Sequence, residues 1–430
     1  MKRLRQRSAR PLSGEVSIPG DKSISHRALI LAALAPGPSL LARVNFGADV
    51  QATARALTKL GATCTLDEAN CKVKVEGVGW AGLSEAGDVL DAGNSGSTMR
   101  MLLGVCASIP GLTVLTGDAS LRRRPMLRVA APLRQMGASI DGREHGNLAP
   151  LAIRGRELAG IEIELPVASA QVKSALLLAG LNATGTTTVT EPAPSRDHTE
   201  RMLRALGVEV RTAAGGVRVN GGSSPEPFNA LIPGDVSSAM FLVAAAAIVP
   251  GSDLTLTDVG LNPTRRAALD VLVQMGSDVT WTETSSSLGE PIGTIHVSCR
   301  PLRGVEVAPE LVPSLIDEIP ALAIVATQAD GDTVFTGAGE LRVKESDRIS
   351  TLVTGLRALE ADAEELRDGL VVRGPRALSG GEIDSHGDHR IALAFAVAGL
   401  VCPDKVRVIG WSSVETSFPE FLEILGEATR

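Results

Sequence analysis

The sequence predicts an α/β fold of six β-α-β-α-β-β units, arranged as two lobes of three, with buried helices surrounded by sheets. Three observations predict it: a helix-ending phrase that recurs along the chain, a second helix type that is apolar on every side, and one tetrapeptide that occurs twice.

The phrase reads Ala56-Leu57-Thr58-Lys59-Leu60-Gly61-Ala62, and again Pro132-Leu133-Arg134-Gln135-Met136-Gly137-Ala138. Further copies are Met202–Gly207, Val271–Gly276 and Phe421–Gly426; in Gly355–Glu360 the glycine is replaced by Glu360. Leucine or methionine just before glycine marks an amphipathic helix closed by a glycine C-cap. The copies lie about 65–85 residues apart, too long for a solenoid repeat and suited to a small α/β unit.

The second helix type alternates with the first, at Ser25–Leu34, Ser97–Ala107, Val172–Ala179, Ser237–Ile248, Ile319–Ala326 and His389–Gly399. Hydrophobicity all round a helix means burial on all sides. Short alternating runs such as Cys71–Glu76, Ile161–Leu165, Gly216–Asn220 and Leu370–Arg373 supply strands. The twice-used tetrapeptide is Ile18-Pro19-Gly20-Asp21 and Ile232-Pro233-Gly234-Asp235. Read as two crossovers, since Pro-Gly punctuates a chain strongly, it gives one lobe of 1–20 plus 235–430 and another of 21–234.

Composition removes several function classes. With 42 Lys+Arg against 49 Asp+Glu and a net charge of −7, the chain lacks the basic surface that phosphate-backbone affinity needs, so nucleic acid is not expected as a partner. The longest apolar stretches, Ala239–Val249 and Ile391–Cys402, fall well short of the ~20 residues of a membrane span. Five cysteines without a C-x-x-C read as reduced thiols of a cytoplasmic protein, with neither a disulfide frame nor a zinc site. The basic start (Lys2, Arg3, Arg5, Arg7, Arg10) lacks a following apolar stretch and reads as a solvated tail rather than a secretory signal.

The chemistry concentrates where the apolar helices begin. Each opens beside a polar cluster: Asp21-Lys22-Ser23, Asn94-Ser95-Gly96, Ser169-Ala170-Gln171, Asp235-Val236-Ser237, Asp317-Glu318 and Asp388-His389-Arg390. Helix N-termini present unpaired N–H groups and partial positive charge, a natural anion site. Arg27, Arg100, the Arg122–Arg124 run, Lys344 and Arg348 add cations, and guanidinium forks suit phosphates and carboxylates. No Walker A or G-x-G-x-x-G pattern is present, so no nucleotide cofactor is indicated. Singly, each feature has a plainer structural reading. Asp317 would serve as an N-cap, Lys344 to Arg348 as a salt-bridged helix start, Arg122–Arg124 as a solvated face, and His26, His386 and His389 as satisfied helix-end histidines. Recurrence at one structural phase favours a site.

These residues resemble the enolpyruvyl transferases, and within them the branch that acts on shikimate 3-phosphate. The matching stretches are Pro19–Arg27, Gly93–Gly96, Arg124-Pro125-Met126, Ser169–Ser174, Asp197–Glu200, Leu341–Arg348 and Asp388-His389-Arg390, spanning nearly the whole chain. The resemblance implies a two-lobed inside-out α/β barrel with the active site in the interlobe cleft, working as a monomer and without cofactor or metal. It also implies transfer of the enolpyruvyl group of phosphoenolpyruvate to the 5-hydroxyl of shikimate 3-phosphate, with release of phosphate. Lys22, Ser23, Arg27, Ser169, Ala170, Gln171, Arg196, Asp317 and Lys344 would hold shikimate 3-phosphate. Lys22, Asn94, Gly96, Arg124, Gln171, Arg348 and Arg390 would hold phosphoenolpyruvate. Asp317 is expected as the base, Glu345 as the acid, and Lys22 as a cation at the developing charge. The resemblance further implies that glyphosate competes for the pocket at Gly96. Where relatives often carry a Lys before the Phe-Pro near the C-terminus, this chain has Thr416-Ser417-Phe418-Pro419, so Arg100 or Lys344 is expected to take over that contact.

Two other readings compete. The branch acting on UDP-N-acetylglucosamine carries a reactive Cys in the loop before Arg-Pro, but here Ala119 stands about there and none of the five cysteines is in that loop. A non-catalytic binder of phosphorylated metabolites would gain from losing Asp317 and Glu345, since carboxylates oppose anion binding.

Overall fold

A computed structural model describes residues 3–6, 10–213 and 216–429. The chain forms two compact units. The first is Gly20–Ile232 with Ser286–Glu290; the second takes the residues up to Pro19, Pro233–Ser285, and those from Pro291 onward.

Among the described residues twelve helices reach eight residues or more. They are α1 Lys22–Leu34, α2 Ala48–Lys59, α3 Gly96–Cys106, α4 Leu127–Gln135, α5 Ala170–Leu181 and α6 His198–Ala205 in the first unit. The second unit holds α7 Val236–Ile248, α8 Ala267–Gln274, α9 Ile319–Ala326, α10 Arg348–Ala358, α11 His389–Ala398 and α12 Phe421–Ala428. Odd-numbered helices are the apolar ones. Every residue of α7 and of α9 is buried, as uniform hydrophobicity requires. Close packing among them needs small residues: a Cβ on Gly104 of α3 would stand 2.1 Å from the Ala175 carbonyl oxygen of α5.

Each complete repeat runs strand, apolar helix, parallel strand, amphipathic helix, then an antiparallel pair. In the third repeat Glu162–Glu164 pairs in parallel with Thr186–Thr190, which pairs antiparallel with Gly216–Asn220, itself paired with Val210–Ala213. The duplicated tetrapeptide marks where the chain leaves one unit for the other, between Pro19 and Gly20 and again between Ile232 and Pro233. Each crossing exchanges an opening strand: Ser13–Ser17 pairs with Asp253–Gly260, and Asn229–Leu231 with Pro36–Ala42. The aspartates ending the tetrapeptides then cap α1 and α7, accepting from Ile24 and Ser237 N–H groups at 2.8 Å each.

One expectation needs correction. The backbone of Arg3–Gln6 is not a loose tail: it pairs antiparallel with Val406–Ile409, giving the sixth sheet the outer strand its own repeat lacks; Lys2 and Arg7 lie outside the described residues. The expected two-lobed α/β fold of six units is borne out: among the described residues the strands form six separate sheets of three to five strands.

The helix-ending phrase has a common geometry. Gly61, Gly137, Gly207 and Gly276 have φ between +80° and +112°. In each copy the next residue's N–H reaches back to close the last turn, as Ala62 does to Leu57 O at 3.1 Å and Ala138 to Leu133 O at 3.0 Å. Glu360 replaces glycine and still adopts φ +65°, with Ala361 N–H bonded to Leu356 O. Gly426 is the exception, because α12 runs through it to Ala428.

Candidate active site

In the first unit the starts of α1, α3 and α5 gather the predicted binding residues. Lys22 is the first residue of α1, its ammonium 3.1 Å from Asp49 of α2. Ser23 follows, half-buried, and its carbonyl accepts from Arg27 at 3.0 Å. The Arg27 guanidinium also donates to the hydroxyls of Thr199 and Ser174, both at 2.8 Å. Burial lowers its pKa to about 10, against the opposing pull of Glu200 and Asp21. Its fork is therefore engaged inside the unit, with neutral oxygens.

Around α3, Ser95 caps the helix and Gly96 begins it. Arg124 donates to Asn94 Oδ1 at 2.6 Å, and Asn94 Nδ2 donates to Asp118 at 2.6 Å. Arg100 donates to Gln171 Oε1 at 2.6 Å, and Gln171 Nε2 donates to the Ser97 hydroxyl at 2.8 Å. A Cβ on Gly96 would stand 2.7 Å from Arg100 Nη1 and 3.4 Å from Arg124 Nη1. The glycine thus exposes its helix start to two guanidinium groups. Ser169 caps α5, which Ala170 and Gln171 open; half-buried Arg196 precedes the cap of α6.

The second unit is arranged around carboxylates. Arg348 opens α10 with its side chain 1% exposed, and donates to Asp388 at 2.8 Å, Asp317 at 3.0 Å and Glu345 at 2.5 Å. Burial alone would lower its pKa, but Asp388, Glu345 and Asp317 more than reverse that and hold it above the ordinary value. Lys344 Nζ lies 3.4 Å from Asp317, and Arg390 donates to the Asp317 carbonyl at 3.0 Å. Asp317 is not the cap of α9: Glu318 holds that position, without a side-chain cap bond. Its carboxylate faces cations instead.

The remaining candidates resolve simply. His26 is buried with Nδ1 2.7 Å from the Thr53 hydroxyl, and burial, then Lys22 and Arg27, hold its pKa well below the usual value. It is a core histidine. In the Arg122–Arg124 run only Arg124 is buried. Thr416 donates its hydroxyl to Ser413 O at 2.7 Å. Burial pushes the thiols up, Cys64 to about 11 and Cys106 to about 12. Among the described residues no cluster of His, Cys, Asp or Glu is arranged to hold a metal ion.

Residues 6–425 match the family model described as EPSP synthase (3-phosphoshikimate 1-carboxyvinyltransferase). The chain belongs to that family. It is 52% identical over 420 residues to a 3-phosphoshikimate 1-carboxyvinyltransferase of Pelotomaculum thermopropionicum, covering 97% of each chain. To the protein of that description from Desulfitobacterium hafniense it is 47% identical over 416 residues, 97% of this chain and 95% of the other. A solved EPSP synthase of Acinetobacter baumannii superposes with a TM-score of 0.88 at 43% identity, covering 99% of this chain and 98% of that one. Family membership makes the chain an enzyme, a carboxyvinyl transferase of the shikimate pathway to aromatic amino acids.

Sequence reasoning missed the residues that hold these groups in place. Arg265, 2% exposed, donates to the Ser237 hydroxyl and lies 3.6 Å from Glu318, while Ser237 in turn donates to Glu318. Lys173 sits between Glu191 and Glu200, 2.8 Å from each. Their signal is a charged residue inside or beside an apolar helix; no spacing rule links partners 18 to 81 residues apart.

Proposed function

We propose that the two clusters serve one reaction, transfer of the enolpyruvyl group from phosphoenolpyruvate to the 5-hydroxyl of shikimate 3-phosphate. The observation that carries the assignment of roles is Arg348, whose single guanidinium donates to both Asp317 and Glu345. A base and an acid for addition–elimination must be held together, and one buried fork does so. Asp317 takes the 5-hydroxyl proton as that oxygen bonds to C2 of phosphoenolpyruvate, while Glu345 protonates C3. Loss of a C3 proton and cleavage of the C2–O bond to phosphate then complete the transfer. Lys22 offsets the developing negative charge.

Lys22, Ser23, Arg27, Ser169, Ala170, Gln171, Arg196, Asp317 and Lys344 hold the acceptor in this reading. Lys22, Asn94, Gly96, Arg124, Gln171, Arg348 and Arg390 hold the donor. Arg348 acts mainly by ordering neighbours, because its fork already meets three carboxylates. Among the described residues no helix is long and apolar enough to cross a membrane. We further propose that the enzyme works in the cytoplasm, as a monomer. Phosphate release from phosphoenolpyruvate tests the reading: it should require shikimate 3-phosphate and ignore UDP-N-acetylglucosamine. Release with the nucleotide sugar would move the chain to the other branch, and binding without release would make it a non-catalytic binder.

A further inference from the structure

We propose that Glu191 is a positioning residue for the phosphate of the acceptor, acting through Ser169 on one side and Ser195-Arg196 on the other. This inference rests on the acceptor assigned above. The Glu191 side chain is 6% exposed, and both its oxygens accept from protein groups. Oε1 accepts the backbone N–H of Ser169 at 2.7 Å. Oε2 accepts the Ser195 hydroxyl at 2.7 Å and the Lys173 ammonium at 2.8 Å. One buried carboxylate therefore fixes the cap residue of α5 and the residue before Arg196. A helix start beside an arginine is anion-binding chemistry, and its two halves come from segments separated by more than twenty residues of chain.

Lys173 lies one turn into α5 and reaches Glu200 of α6 as well. Glu200 neighbours Thr199, which accepts from Arg27. The carboxylates of Glu191 and Glu200 thus tie α5, α6 and the segment between them to one ammonium. Glutamine at 191 would still accept from Ser169, but its amide nitrogen cannot accept from Ser195 or Lys173. Lys173 would keep Glu200, so the buried charge stays balanced and the fold is spared. What is lost is the placement of Ser195 and Arg196.

The test compares two acceptors on Glu191→Gln: shikimate 3-phosphate, and shikimate, which lacks the phosphate. The KM for shikimate 3-phosphate should rise roughly tenfold. The KM for phosphoenolpyruvate and the kcat/KM with shikimate should stay within about twofold. Equal losses with both acceptors, or an unchanged KM for shikimate 3-phosphate, would overturn the proposal. Should Glu191→Gln not fold, Ser195→Ala removes one of the three bonds and is read with the same comparison. The unsubstituted enzyme separates the two readings: absence of its own turnover would defeat the assigned reaction and this proposal with it, whereas normal turnover with no acceptor-dependent loss in Glu191→Gln would defeat the role of Glu191 alone.

Discussion

In the first unit Arg27, Arg100 and Arg124 donate to hydroxyls, carbonyls and amides: Thr199, Ser174, Ser23, Gln171 and Asn94. In the second, Arg348 alone meets three carboxylates. The arginines of the two units thus have different immediate partners, although Lys22 and Lys173 of the first unit also meet carboxylates. Cations with neutral partners keep most of their charge for an incoming anion. A cation saturated by carboxylates has little left to offer, but it holds those carboxylates in fixed places. In the proposed reading, anion binding falls mainly to the first unit and proton transfer to the second.

The largest expected effect is on that second function. Asp317→Asn preserves shape and removes the base, so steady-state phosphate release should fall by about 10²–10⁴. Near-normal turnover would return Asp317 to a structural role. Next, Arg348→Met leaves buried Asp317 and Asp388 and half-buried Glu345 without their common partner, and urea unfolding should show a loss of roughly 3–5 kcal/mol. Arg27→Met strands only neutral groups, so its loss should be smaller, about 1–3 kcal/mol. Equal losses would erase the contrast. Smaller again, Gly96→Ala sets a methyl against the Arg100 and Arg124 guanidinium groups. It should raise the ratio of the glyphosate inhibition constant to the phosphoenolpyruvate KM by roughly 10–100-fold, since the longer anion needs that space. An unchanged ratio would remove Gly96 from the inhibitor's end of the pocket.

The smallest effect concerns pH. His26 is held neutral in the folded state and protonates freely when unfolded, near 6.5. Its contribution to stability is full above pH 6.5 and declines as pH falls from there toward the folded pKa. The slope is at most about 1.4 kcal/mol per pH unit. Unfolding curves of His26→Gln should therefore be flatter between about pH 6.5 and 5; an identical slope would show that His26 does not titrate on unfolding.

Much of this was legible in the sequence because repetition carries information that single motifs do not. The glycine after Leu60, Met136, Leu206 and Met275 marked four helix ends, each with positive φ. The same rule failed at Gly426, where α12 continues to Ala428, and it understated Glu360, which takes the glycine conformation despite its Cβ. Permutation was harder to see. Nothing local in Arg3–Gln6 says that it completes a sheet with Val406–Ile409, some 400 residues away. Motif residues such as Lys22 and Gly96 were readable as helix starts. Buried partners such as Arg265 and Glu191 were not, because their meaning lies in what the fold brings to them.

The division between the units is tested most directly by calorimetric titration of shikimate 3-phosphate into Asp317→Asn. The account predicts a Kd within about threefold of the unsubstituted enzyme, in a protein whose turnover has fallen by two orders of magnitude or more. Asparagine keeps a hydrogen-bonding group on the acceptor, so binding lost in proportion to turnover would contradict it: the carboxylate would then serve acceptor affinity and not proton removal.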